Sequence, residues 1–540
     1  MKNSDKESKN NLITLYVHNL DFDGFLILEE ISKIKKFKID FLIHKMKIYY
    51  LKISFSKKII EFRCSKKIIP SSLSDIAKDF KLNEKLSYPY TFICKNTLYF
   101  KENLLWENKN WGFMDIKNYT INYCLRDVEI TQKFIEKLRL VLIKDQKIDI
   151  LNILSSSSLS LKVFSKNFNI KKVDLKMKDD IDSLIREAYF GGRVEIFGNT
   201  DGIIHHYDFP GMYGLCMKQK FPFGKIKFLE KKEIDLNKLI PGFYTVTWHS
   251  DNFRIPILPV KNEFGKLIFP NGIYSGTYWF EELETFMKYG GRILEVHRAI
   301  IYEKYDYVFN EFIDYFNEYR EKGGVYKVLG KLIINSLYGK MGSGIKNSEY
   351  VVSYSQKDID QIKAKHEILS ISQLNSISIV EISTKTKKKG INVGLAAAIT
   401  SKARIKLVEA MIEIEKRGGR MLYCDTDSLF IEFKDKVDES LFKWDKEDSI
   451  IDAGVFALPK TYAIRIKNKT IVKIKGVPKS SISFEDFKKK FLEGDYLMFQ
   501  EILHIKKNDF TIRRGLGDKK INLSIYDKRN FNSEKNNTYV

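Results

Sequence analysis

The chain has 540 residues, 44% of them hydrophobic, and sets 92 Lys+Arg against 69 Asp+Glu, a formal net charge of +23. That length exceeds one hydrophobic core and predicts about three or four units of ordinary domain size. No apolar run reaches the roughly eighteen residues of a membrane helix, and five singly scattered cysteines without a CxxC pair argue against a zinc ribbon or a disulfide framework, so a reducing compartment and no membrane partner are expected.

In chain order, MKNSDKESKNN carries Asp5 and Glu7 where a signal or transit peptide would not. LITLYV then leads through the turn HNLDFDG into GFLILEEI, a strand, a loop and a helix. Alternation over Lys47–Phe62 predicts antiparallel strands and Asn118–Ile143 has helical periodicity, so residues 1–150 read as one α/β unit. The run Ser155–Ser158 is a linker by composition or the cap of a following helix, and a boundary is placed near it. Strand signals at Ile203–Phe209 and Leu422–Phe430 flank a long helical stretch, Asp306–Tyr338. Ser343–Lys389 is Lys-rich and weakly patterned and reads as an insertion. The excess of Lys and Arg suits a polyanionic partner through counterion release, but heavy use of Lys, Ile, Asn, Phe and Tyr would also follow from AT-rich coding, and charge alone leaves both readings open.

Three segments carry chemistry. Tyr423-Cys424-Asp425-Thr426-Asp427-Ser428, with apolar residues on both sides, predicts a hairpin presenting carboxylates at its turn; by itself it could be an ordinary Asx turn. His206-Tyr207-Asp208-Phe209-Pro210-Gly211-Met212-Tyr213-Gly214 puts an acid at the end of a strand, where alone it would pass for a helix cap. Phosphoryl transfer to a growing chain uses two divalent ions about 4 Å apart held by carboxylates from separate strands, which Asp208 and Asp425 could supply. In the helical segment from Lys327 to Gly339, Lys327, Lys331, Asn335 and Tyr338 recur at spacings of four, four and three and so share a face, either a solvated lysine face or one that meets a triphosphate, a sugar and a base.

In this order the three segments resemble the palm motifs of the family B DNA polymerases, approximately DxxSLYP, KxxxNSxYG and YxDTDS. The resemblance implies a ribonuclease-H-like exonuclease domain followed by a right-hand polymerase with palm, fingers and thumb, an α/β and α+β multidomain fold. It implies Asp208 and Asp425 as ligands of two Mg2+ ions, with Mn2+ as a substitute, and Asp427 as a supporting catalytic acid. Phe209, Tyr213, Lys327, Lys331, Asn335 and Tyr338 would form the nucleotide site, with Tyr213 rejecting a 2′-hydroxyl. The first motif departs from the pattern, with Pro210-Gly211 in place of Asn-Ser and Gly214 in place of proline, which bears on the backbone beside the metals.

Further elements are similar to the protein-primed branch found in bacteriophages and in linear mitochondrial and cytoplasmic plasmids. Tyr189-Phe190-Gly191-Gly192-Arg193 resembles the YxGG element that contacts template, with Tyr189, Gly191, Gly192 and Arg193 as DNA contacts, and Lys460-Thr461-Tyr462 resembles the KxY primer grip. Asn19 and Asp23, and Tyr123 and Asp127, match the second and third exonuclease motifs, and Ser72-Leu73 a single-strand contact. The first exonuclease motif, Asp-x-Glu on a strand, is missing; Asp5-Lys6-Glu7 is taken as coincidence, and weak or absent proofreading is expected. The implied organisation is 1–150 exonuclease-like, 151–200 connecting, 201–455 palm and fingers with insertions at about 221–300 and 343–389, and 456–540 primer grip and thumb. Implied partners are DNA template and primer, deoxynucleoside triphosphates and a terminal protein as first primer. The expected location is the mitochondrion, or the cytoplasm of a phage- or plasmid-bearing host. A decayed polymerase kept as a DNA-binding factor is the alternative; a reverse transcriptase or RNA polymerase is disfavoured by Thr426 and Tyr213.

Overall fold

The computed structural model describes residues 12–34, 36–88, 105–108, 112–168, 179–344, 346–386, 392–433, 445–446, 450–467, 469–477, 482–508, 510–523, 526, 528–535 and 537–539. Asp5-Lys6-Glu7 therefore lies outside the described residues. The apolar, β-branched run Leu12–Val17 is a strand parallel to Lys58–Cys64, which pairs antiparallel with Lys47–Phe55, itself paired with Lys38–His44. Helix Leu20–Ile31 starts inside the HNLDFDG segment, leaving only His18 and Asn19 as the expected turn, and buries Leu20, Phe25 and Leu28 on this sheet. It lies close because Gly24 is small: a Cβ there would stand 2.8 Å from Ile48 Cδ1. Helix Ile116–Gln146 covers the expected helical segment and extends past it at both ends.

The serine run is a cap. Ser155 and Ser158 form a reciprocal capping box that starts helix Ser156–Asn167, satisfying end N–H groups that would otherwise be orphaned. No gap in packing marks residue 150, since one apolar cluster runs from Ile68 and Phe134 through Leu159 and Phe164 to Tyr207, Leu329 and Leu429.

Beyond it, an antiparallel sheet takes strands Ile204–Asp208, Ser428–Glu432, Arg420–Asp425 and Val194–Ile196 in that spatial order. Helix Val393–Lys416 packs against it, burying nearly all of its first half. The expected helical stretch Asp306–Tyr338 is not one helix. Asp306 and Tyr307 end the long strand Arg292–Tyr307, and two helices, Asn310–Glu321 and Gly324–Met341, are separated at Gly323 and Gly324, whose φ values of 70° and 51° reverse the chain at low steric cost.

The two segments read as insertions fold as sheets. Residues 220–307 form a four-stranded antiparallel sheet with helix Phe280–Lys288 on it. In the second, strands Lys346–Ser353, Ile368–Leu374 and Ile377–Thr386 make a three-stranded sheet that docks on the first unit: Leu374, Ile377 and Ile379 share a cluster with Leu20, Phe25, Ile39 and Phe510. Phe510 sits at the turn of the hairpin formed by Tyr496–Asn508 and Thr511–Asn522, so three distant parts of the chain meet there. No helix among the described residues is long and apolar enough to cross a membrane.

Candidate active site

Register alone brings the two motif acids together. Asp425 stands opposite Ser428 in the hairpin, and Ser428 stands opposite Asp208 on the next strand, so both aspartates flank one residue. Strands spaced about 4.8 Å apart leave about 10 Å between the two α-carbons, a gap that side chains narrow from both sides. The two-residue turn needs a left-handed Thr426, at φ 64°, and is tied on both flanks: Thr426 N–H donates to the Arg193 carbonyl and Phe209 N–H to the Asp427 carbonyl, each at 2.7 Å. The Pro210-Gly211 departure has its reason here. Gly211 is the helix-start residue of Met212–Met217 at φ 64°, with open space where a Cβ would be, so glycine relieves the backbone rather than the packing.

The Asp425 carboxylate accepts from the Tyr423 hydroxyl and the Thr426 hydroxyl, both at 3.2 Å, and from Lys460 Nζ at 3.1 Å. Burial and the neighbouring Asp425 push the Asp427 carboxyl above its ordinary range, against the pull of Lys460 and Lys331. Among the described residues no group of three or more His, Cys, Asp or Glu side chains is gathered to hold a metal ion. What is present is an oxygen-only pair that already attracts an ammonium, the donor type that hard divalent cations such as magnesium take, with substrate phosphates completing the shell. The residues present therefore fit the implied ions.

On helix Gly324–Met341 the expected face forms. Leu329, Gly330, Ile333, Ile334 and Leu337 are buried, while Lys327, Lys331 and Asn335 are exposed and Tyr338 is half-buried. Tyr338 stacks on Tyr213, with ring centroids 4.2 Å apart and planes 15° from parallel, and burial raises both hydroxyls. A Cβ on Gly214 would meet Ile334 at 3.2 Å, so glycine lets the Asp208 segment approach this helix.

The DNA contacts divide. Gly191 is exposed, and a Cβ on Gly192 would lie 2.8 Å from Thr426 Cγ2, so the YxGG loop rests on the catalytic turn. Arg193 is a correction: its side chain is fully buried, paired with Glu195 at 2.5 Å, donating to the Pro256 carbonyl and lying 4.1 Å over the Phe269 ring. It faces no surface that a template strand could touch; what it gives the site is its backbone carbonyl. Tyr189 is half-buried under Gly342, where a Cβ would strike its ring. Tyr462 is likewise a correction, buried behind the hairpin among Tyr423, Phe430 and Phe456, so only Lys460 of the KxY element reaches the acids. Ser72 caps helix Leu73–Asp79 through the Asp75 N–H, and Leu73 is buried, which corrects its reading as a DNA contact.

Sequence reasoning passed over Arg404. It is buried, bonds Glu282 at 2.8 and 2.9 Å, and donates to the carbonyls of Phe190 at 2.9 Å and Gly191 at 3.2 Å, holding the YxGG loop from behind. The signal was present: two cations, Lys402 and Arg404, interrupt an apolar helical run, and buried cations need partners.

In the first unit Asn19 adopts φ 77° ahead of helix Leu20–Ile31, which carries Asp23 in its first turn. Tyr123 and Asp127 lie one helical turn apart, and between them stands Lys85, also missed, whose Nζ is 2.6 Å from the Tyr123 hydroxyl and 2.5 Å from both Asp127 oxygens. Nearby, burial and then Lys66 lower His18 to about 4, so its ring is neutral between Ser65 Oγ and the Ser71 carbonyl.

Comparison with known proteins agrees with this geometry. The chain is 26% identical over 511 residues to a probable DNA polymerase of Podospora anserina, covering 84% of this chain and 42% of that protein. It is 25% identical over 524 residues to one of Neurospora intermedia, covering 86% and 53%. The chain thus spans about half the length of these relatives. Its fold is similar to that of Phi29 DNA polymerase complexed with primer-template DNA and incoming nucleotide substrates, with a TM-score of 0.71 at 21% identity, covering 94% of this chain and 91% of the other. The expected exonuclease-like unit, palm, fingers and thumb are therefore the architecture observed. Residues 4–413, well over half of the chain, match the family described as DNA polymerase type B, organellar and viral, and the chain belongs to that family.

Proposed function

We propose that the chain is a template-directed DNA polymerase of the protein-primed kind, copying a linear DNA element by two-metal nucleotidyl transfer. The observation that carries this reading is the placement of Asp208 and Asp425 on either side of Ser428, beside a helix face bearing Lys327, Lys331 and Asn335. Asp208 and Asp425 would hold the ions, which when bound would activate the primer hydroxyl and neutralise triphosphate charge. Lys327 and Lys331 bind the triphosphate, and the stacked Tyr213 and Tyr338 form a flat floor for the sugar and base, leaving no room for a 2′-hydroxyl. Lys460 orients the Asp425 carboxylate and meets the primer end, while Gly191 and Gly192 admit the template backbone against the catalytic turn.

Proofreading is weak or absent on this reading, in which Lys85 is held against Asp127, a residue of the third exonuclease motif. A terminal protein supplies the first hydroxyl, and the site of action is the mitochondrion, or the cytoplasm of a phage- or plasmid-bearing host.

The test is extension of a primed template with magnesium and four deoxynucleotides, comparing the wild type with Asp425→Ala and following longer and shorter products. Extension by the wild type alone, with no shortened primer, is expected. Tight DNA binding without any extension points instead to a decayed polymerase acting as a DNA-binding factor.

A further inference from the structure

Between the exonuclease-like unit and the turn that joins helices Asn310–Glu321 and Gly324–Met341 lie two cavities of about 370 and 330 Å³ that share Lys81, Lys137 and Leu140 and so form one trough. Its floor is apolar, with Leu140 68% exposed and Val141 beside it, and one wall is the half-buried ring of Tyr326. Its rim is basic. Lys81 and Lys322 are exposed, Lys322 stands 5.1 Å over Tyr319 and 5.7 Å over Tyr326, and Lys137 donates to a neutral partner, the Phe80 carbonyl, so its charge is not cancelled. Lysines outnumber the two acids of the trough, Asp79 and Glu136.

An apolar floor, an aromatic wall and uncompensated cations are what a single strand uses, bases toward the floor and phosphates toward the rim. At 100° per residue, Tyr326 lies about 135° around the helix from the mean direction of Lys327, Lys331, Asn335 and Tyr338. A strand in the trough is therefore on the far side of the helix from the nucleotide, and it is not the strand whose base is being copied. We propose that the trough receives the displaced, non-template strand ahead of the insertion site. This rests on the polymerase reading above.

The test uses full-length protein and forked DNA with a labelled displaced flap. Charge reversal at two exposed positions, Lys81→Glu with Lys322→Glu, is compared with Lys81→Arg with Lys322→Arg. Reversal is expected to slow extension through a duplex on the order of tenfold while extension on a bare single-stranded template stays within about twofold, and the arginine pair behaves as wild type. In anisotropy titrations, adding the flap steepens the wild-type salt dependence by about 1.4 in log–log slope, from two phosphate contacts, and the reversal variant loses this increment. Equal slowing on both templates, a flap increment unchanged by reversal, or the same increment from a 5′ template overhang without a flap overturns the proposal. If the wild type extends neither template, the polymerase reading fails, and the flap titration still decides the trough.

Discussion

Removing the Arg404 guanidinium separates the cost of a buried charge from the cost of a misplaced loop. Arg404 and Glu282 side chains are 1% and 2% exposed, joined by two charge-assisted hydrogen bonds, and Glu282 also accepts from Ser401 Oγ at 3.0 Å. Arg404→Met leaves that carboxylate in the core without its cation, which costs about 3–5 kcal/mol. Replacing both partners, Arg404→Met with Glu282→Leu, removes the stranded charge and recovers most of that loss. The midpoint of urea unfolding, read by fluorescence of the buried Trp248 and Trp279 that pack around helix Phe280–Lys288, measures both variants. In the double variant the carbonyls of Phe190 and Gly191 still lack their donor, so the half-saturating primer-template concentration stays raised although stability has returned. A single variant with an unchanged midpoint, or a double variant no more stable than the single, refutes the reasoning.

Lys460→Met removes the ammonium that competes for Asp425, so Mn2+ titrated in the absence of DNA binds more tightly than to wild type, read by electron paramagnetic resonance. Gly211→Ala imposes a side chain at φ 64° for about 1–2 kcal/mol, whereas Gly211→Asn loses less, a difference visible in thermal melting because nothing else crowds the site. Acidification should destabilise the first unit through His18. Its folded-state pKa is lowered to about 4 from 6.5, so the unfolded chain takes up the proton first, and stability falls as pH drops from about 6.5 toward 4; His18→Gln flattens that part of the melting-temperature profile. Tyr213→Val opens the stacked floor and raises ribonucleotide incorporation relative to deoxyribonucleotide, measured by single-nucleotide extension.

Local pattern revealed what is locally determined. The strand LITLYV, the helix face of Lys327, Lys331 and Asn335, and the hairpin around Asp425 each rest on periodicity or on turn chemistry confined to a few residues, and each stands where the sequence put it. Arg193, Tyr462 and Leu73 were misread because a motif letter says which residue is present and not which way it faces; long-range packing buried all three. Lys85 and Arg404 were overlooked for the complementary reason, since their partners lie 42 and 122 residues away in sequence. The break at Gly323-Gly324 was legible in principle, as a glycine pair inside a helical pattern, but apolar periodicity on both sides concealed it.

The meeting of the first unit, the three-stranded sheet and the hairpin tip amounts to a latch whose bolt is one phenyl ring. Phe510 is 4% exposed, tilted against Phe25 at 6.5 Å and edge-on to Tyr350 at 5.3 Å, at the end of strands that reach out from their own cluster around Phe484 and Leu497. Withdrawing such a ring exposes apolar surface worth about 1.5–3 kcal/mol, so the hairpin tip is released between about one time in ten and one in a hundred. A fastening of that strength holds the hairpin tip against the other two parts most of the time and still lets go on thermal timescales, while Leu374, Ile377 and Ile379 keep those two parts packed together.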